Sequence, residues 1–148
     1  MIKEPLFEVL GTGDSGFSRQ LSAASFAVLF AVARELLMRD LSVILEGNFR
    51  TGEHEGPLLE TLPPGSQPAA VIVQVLCRVE EAERLERLRR RGADPGRHAG
   101  HRDLAPRATR DGEAFLQLPG RRIEVDTRSP ARCEQLAAAL ADVNSRTV

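Results

Sequence analysis

The stretch SVILEGNF, Ser42 to Phe49, decides the fold. Val43, Ile44 and Leu45 form a short apolar run that ends in polar residues and a glycine. An apolar run without polar alternation suits a parallel strand, because helices cover both faces of such a sheet. A second run, AAVIVQVLC, spans Ala69 to Cys77, and a third strand-like segment covers Arg121 to Asp126. Parallel strands are therefore expected at Ser42–Glu46, Val71–Leu76 and Arg122–Asp126.

Helical patterns fill the intervals. Lys3 to Leu10 places Leu6, Phe7 and Leu10 at helical spacing, and Gly11 and Gly13 end the segment. A long helix follows from Phe17 to Met38, capped by Ser15 or Ser18. Its middle, AASFAVLFAVA, is apolar on nearly every side, which marks a helix packed over most of its circumference and here expected on the sheet. A short helix is expected between Glu53 and Leu62, stopped by Pro63-Pro64-Gly65. Val79 to Arg91 carries acid in its first turn and arginine in its last, which complements the helix dipole. Glu80–Arg84, Glu83–Arg87 and Glu86–Arg90 stand at the favourable i, i+4 spacing. Residues 92–106, rich in Gly, Pro, His and Arg, read as a mobile lid segment. Ser129-Pro130 begins a last helix with Leu136, Leu140 and Val143 on its buried face. Alternating helices and buried strands define an α/β fold: a three-layer sandwich about a parallel sheet, in a single domain over 1–148. Three strands make a thin sheet for so long an apolar helix, so the sandwich reads as incomplete.

Composition narrows the function. The chain has 148 residues, a formal net charge of -1, 42% hydrophobic and 28% charged residues. No global field favours nucleic acid or an acidic membrane. Lys3 is the single lysine among 20 basic residues, and nine arginines fall between Arg84 and Arg110. Arginine's planar fork matches phosphate oxygens, although a solvated helix face uses the same residues. Cys77 and Cys133 are too few for a disulfide framework, which points to a reducing, cytoplasmic setting. The apolar stretch Ala23–Ala33 is too short to span a bilayer.

Three motifs bear on chemistry. GTGDSGFS, Gly11 to Ser18, matches both glycines and the serine of G-x-x-x-x-G-K-[ST], but Phe17 stands where the phosphate-neutralising lysine is required. It also follows a helical pattern rather than a strand, and reads as a glycine-rich turn. Glu46 and Asn48 lie at the carboxyl end of an expected strand, where parallel sheets gather ligands. Glu46 can hold a metal-bound water or act as a base toward a hydroxyl. It can equally cap a helix or pair with an arginine. Arg87 and Arg91, one helical turn apart, lead into RHAGHRD, with Arg97, His98, His101 and Arg102. Mobile positive charge of this kind suits a lid over a phosphate chain. No acidic or cysteine partner lies at ligand spacing from His98 and His101, so no metal site is assigned. His54 stands alone and carries no inference.

The order KEPLFEVLGTGD, long apolar helix, VILEGNFR, strand ending at Cys77, RHAGHRD and IEVDT resembles the P-loop kinase-like ATP-binding proteins. These are related to gluconate and shikimate kinases, chloramphenicol phosphotransferase and zeta-type toxins. The resemblance implies a small-molecule phosphotransferase using ATP and Mg2+. It implies Glu46, Arg91 and Arg97 in catalysis, and Lys3, Asn48 and Arg50 on the acceptor side. Arg87, His98, His101 and Arg102 fall in the nucleotide lid. In that family a strand, the lysine-bearing phosphate loop and a helix come before the segment matching Ile2-Lys3-Glu4. The missing strand is central in the family's sheet, between the Val43–Glu46 and Val71–Leu76 strands. The resemblance therefore also implies weak or no ATP binding by this chain and a sheet edge open to a homodimer. A non-catalytic interaction or nucleic-acid-binding module using the arginine cluster is the competing reading. Nucleic acid is disfavoured by the net charge, the lack of Trp and Tyr for base stacking, and the acids interleaved with the arginines.

Overall fold

A computed structural model describes residues 2–11, 13–65, 72–94, 114–128, 134, 136–138, 140 and 141. Its elements are α1 (Lys3–Leu10), α2 (Ser15–Leu37), α3 (Glu55–Thr61), β1 (Val73–Arg78), α4 (Glu81–Ala93) and β2 (Arg121–Asp126). Glu134, Leu136–Ala138, Leu140 and Ala141 are helical, in keeping with the expected last helix. Residues 95–106 of the expected lid, with Arg97, His98, His101 and Arg102, lie outside the described residues.

The helical half is built on α2. The cap is neither Ser15 nor Ser18 but Asp14, whose extended backbone lets its carboxylate accept from Phe17 N–H at 2.8 Å. Aspartate satisfies an orphan helix donor as well as serine does. Ser18 turns instead to Lys3, whose Nζ donates to Ser18 Oγ at 2.9 Å and Ser22 Oγ at 2.8 Å, joining α1 to α2. The Lys3 ammonium also lies 5.3 Å from the Phe7 ring centre. At its far end α2 stops at Asp40, a non-glycine in the left-handed region at φ 57. Leu41 N–H returns to Leu36 O and Asp40 N–H to Leu37 O, the paired bonds of a Schellman stop.

Two expectations about α2 need correction. Its main contacts are with α1 and α3 rather than with the sheet. Leu21 and Ala33 are buried, but Val28 and Val32 are 46% and 52% exposed, so the helix is not enclosed. The Ala23–Ala33 run is part of a longer helix: Gly16–Leu37 is continuous, with a window of mean hydropathy 1.4, and by length and composition alone it is long and apolar enough to cross a bilayer. The polar Ser18, Arg19 and Gln20 add length without breaking the helix.

The sheet half is a β1–α4–β2 unit. β1 and β2 pair in parallel, Val73 opposite Arg121 through Arg78 opposite Asp126. β1 begins two residues later than expected. The third expected strand does not form: among the described residues the sheet has two strands, and Ser42–Glu46 is unpaired with Ile44 91% exposed. β-branched residues fit a pleated surface, but a strand exists through its ladder, and this run has no described neighbour to bond. The described structure is thus α/β with a small parallel sheet, and it does not display three layers.

Leu116, Leu118 and Val125 form the buried apolar core of this half. Gln74 Nε2 donates to Leu118 O at 3.3 Å. Gly120 sets the entry into β2. Its φ is +109, and a Cβ there would collide with Ile72 O. The neighbouring Arg121 N–H donates to that same oxygen at 2.8 Å. Gly120→Ala is therefore expected to destabilise the protein by at least about 2 kcal/mol, from left-handed strain plus the displaced strand start. Gly92→Ala, in the last turn of α4 with open space at the Cβ position, is expected to be neutral or stabilising by about 0.5–1 kcal/mol. Urea unfolding of the two variants checks the pair; equal midpoints would contradict this account of the β2 entry.

Candidate functional site

Glu46, Asn48 and Arg50 share the loop that joins α2 to α3, and all three are exposed. The loop is held from beneath. Phe49 packs 5.5 Å from Phe26 and 6.4 Å from Phe30 between ring centres. Gly47 lies against the same rings, where a Cβ would come 3.1 Å from the Phe26 edge. His54, 5% exposed, completes the cluster at 4.3 Å from Phe26 and 5.8 Å from Phe49. Its Nδ1 accepts from Arg50 N–H at 2.8 Å, closing the 50–54 turn. Periodicity and spacing give no sign of this role for His54, because the bond comes from a local chain reversal.

The loop is held from the far side as well. Glu55 accepts from Gly52 N–H at 2.7 Å through Oε2 and from Gln117 N–H at 3.1 Å through Oε1. One carboxylate thereby ties the loop to the segment that leads into β2. The Gln117 amide above all, with the Gly52 amide and others, holds the Glu55 carboxyl below the usual glutamate value. On α2, Arg34 reaches Glu60 O at 2.8 Å and fixes α3.

The loop's functional groups are left unused by this scaffold. Among the described residues the Glu46 side chain neither caps a helix nor meets an arginine, and Asn48 makes no side-chain hydrogen bond. Arg50 meets Glu53 at 3.4 Å with both side chains more than half exposed, a pairing of little energetic weight. Lys3 is engaged elsewhere, between α1 and α2, where burial lowers its pKa.

The arginines of α4 divide into three kinds. Arg87 is a staple: it meets Glu83 at 2.8 Å, Thr127 Oγ1 at 3.1 Å and Thr127 O at 3.3 Å, binding α4 to the end of β2. Arg90 pairs with Glu86 at 3.0 Å, as the spacing predicts. Arg84 chooses Glu81 instead of Glu80, because Glu80 is drawn to Arg128 at 3.2 Å. Arg91 is exposed on the last turn and forms no ion pair among the described residues. Beyond the strands, Thr127 N–H and Oγ1 both donate to Arg78 O, at 2.8 and 3.1 Å.

GTGDSGFS does not fit a phosphate chain. Asp14 already occupies the Phe17 N–H at the start of α2 and brings negative charge there. Phe17 covers Gly13, leaving no room for a Cβ. Helix starts that hold phosphate offer free N–H groups instead.

No family model matches the chain, and no curated protein matches it. A solved structure does: a "putative kinase" from Chloroflexus aurantiacus J-10-fl, 28% identical, with TM-score 0.75, covering 88% of this chain and 72% of that one. The likeness supports a kinase-like α/β fold and, in general terms, a kinase-like function.

The Glu55 bridge carries a pH signature. A carboxyl whose folded pKa is depressed adds stability above its unfolded value, and that stability is lost as pH falls through the folded value. Glu55→Gln is expected to lower the urea midpoint at pH 7. The gap should close below the usual glutamate value of about 4.3. A gap unchanged between pH 7 and pH 3.5 would remove the charge from this account. Arg87→Ala is expected to cost about 1–2 kcal/mol and Arg90→Ala under about 0.5 kcal/mol, read from the same unfolding curves.

Proposed function

We propose that this chain is the acceptor-binding and lid part of an ATP-dependent small-molecule phosphotransferase of the P-loop type. The observation that carries the reading is the likeness, over 88% of the chain, to the structure described as a "putative kinase". Two further features support it. Among the described residues, Glu46 and Asn48 stand unpartnered on a loop that is rigidly anchored on its inner face, as a loop poised for a ligand should be. Arg91 keeps an uncompensated charge at the end of a helix whose other described arginines are mostly paired.

In this reading Glu46 takes the proton of the acceptor hydroxyl, while Asn48 and Arg50 orient the acceptor. Arg91, with Arg97, His98, His101 and Arg102 from the lid, stabilises charge as it spreads over the transferring oxygens. Phosphate-loop chemistry lies outside these residues. Lys3 is the chain's single lysine, it is bonded to Ser18 and Ser22, and no G-x-x-x-x-G-K occurs. The cytoplasmic setting and the open sheet edge as a homodimer contact belong to the same proposal.

Calorimetry of this chain with ATP and Mg2+ is expected to show no binding in the micromolar range, about -8 kcal/mol; tight binding would overturn the assignment. Fusing a strand, a G-x-x-x-x-G-K-[ST] loop and its helix to the N-terminus is expected to bring phosphoryl transfer. In that protein Arg91→Ala and Arg97→Ala should each lower single-turnover rates by about a hundredfold or more. Their unfolding free energy should move by about 0.5 kcal/mol or less. Lysine replacements should recover part of the rate, since an ammonium lacks the bidentate fork. Near-unchanged rates in both alanine variants would return these arginines to a solvated surface role.

A further inference from the structure

His54 is the most enclosed ionisable side chain among the described residues and has no place in the chemistry above. Its ring is 5% exposed. From α2 it meets Phe26 and Phe30, at 4.3 and 6.3 Å. From the loop it meets Phe49 at 5.8 Å. Nδ1 accepts from Arg50 N–H at 2.8 Å, so in the neutral ring the proton sits on Nε2. The same Nδ1 lies 3.3 Å from Arg50 O. Nε2 points toward Glu53 Oε1 at 4.0 Å.

Among the described residues Glu53 faces the ring, and the Arg50 guanidinium pairs with that same carboxylate at 3.4 Å. Arg34 of α2 is committed to Glu60 O, and Glu55 of α3 to Gly52 and Gln117. The neutral ring therefore accepts the N–H of Arg50, the residue that closes the loop bearing Glu46 and Asn48. A protonated ring has no acceptor at Nδ1. It would present N–H to N–H at 2.8 Å, and Arg50 O, 3.3 Å from Nδ1, already accepts from Glu53 N–H at 3.3 Å and His54 N–H at 3.2 Å, so Arg50 N–H is the group that loses its partner.

We propose that His54 is a positioning residue for the 46–50 loop, and that protonation of its ring releases Arg50 N–H and loosens the loop. The acceptor is lost with the ring's free lone pair, so the latch couples the loop to the protonation state of His54. The functional meaning rests on the acceptor-loop reading above, but the latch itself does not. Absence of phosphoryl transfer in the fused protein would leave the measurements below intact.

The test is heteronuclear NMR on the full chain. At neutral pH the ring should show the Nε2–H tautomer. On acidification, Arg50 amide exchange, corrected for its intrinsic pH dependence, should accelerate by about tenfold, with the midpoint of the His54 ring itself. His54→Asn places a carbonyl oxygen near the Nδ1 position and should keep Arg50 protected across the titration. His54→Phe keeps the aromatic packing but should leave Arg50 unprotected at every pH, with helix content retained. The proposal is overturned by an Nδ1–H tautomer, by an Arg50 amide that ignores the ring's titration, or by wild-type protection in His54→Phe. Should His54→Phe fail to fold, the wild-type titration decides alone.

Discussion

Everything exposed on the 46–54 loop depends on what packs beneath it, the half-buried rings of Phe26, Phe30 and Phe49 around the buried ring of His54. Ring contacts of this kind are stabilising beyond the area they bury. Their geometry explains why Gly47 is glycine, since a side chain there would press on Phe26 and Phe49. It also explains how the Glu46 and Asn48 side chains stay open to solvent while their backbone is held. With Phe49 seated and Arg50 N–H bound to His54, two of the loop's residues are fixed, and the residues before them point outward by default.

The second constraint is the Glu55 carboxylate, which joins the helical half to the sheet half through two backbone amides. Both bonds are solvent-exposed, so the connector works by charge-assisted geometry rather than by relieving buried donors. Arg87 plays the corresponding part within the sheet half, linking α4 to Thr127. Of the described arginines in the α4 cluster, one is thus a staple, several are partners of nearby glutamates, and Arg91 is left without an ion pair among the described residues.

Much of this was legible in the residues. The α1 limits, the long helix, the parallel relation of β1 and β2 and the Glu83–Arg87 and Glu86–Arg90 pairs follow from periodicity and charge spacing. What was not legible depends on contacts distant in sequence. VIL at 43–45 has every local mark of a strand, yet pairing is a property of two segments, and none of the described residues supplies the second. Asp14 holds the cap in place of a serine because the helix already begins at Ser15, which leaves Ser18 inside its first turn and free for Lys3. His54 is a single imidazole in a polar stretch, and nothing in its neighbours announces a cluster with phenylalanines from α2. The kinase likeness agrees with the general class implied by LEGNF and RHAGH. The residues of the second motif lie outside the described structure.

The register of the parallel pair has a consequence in time. Each residue of β1 meets a β2 residue about fifty positions further along the chain, whereas the side-chain bonds that join α1 to α2 and α2 to α3 span 15, 19 and 26 positions. Closing so long an interval costs entropy before any ladder bond repays it. The expected order of folding is therefore helices first, with the Phe26 cluster assembling as α3 docks on α2, and the sheet last. The bond from Gln117 N–H to Glu55 spans a longer interval still, and on the same argument it closes with the sheet rather than with the helices.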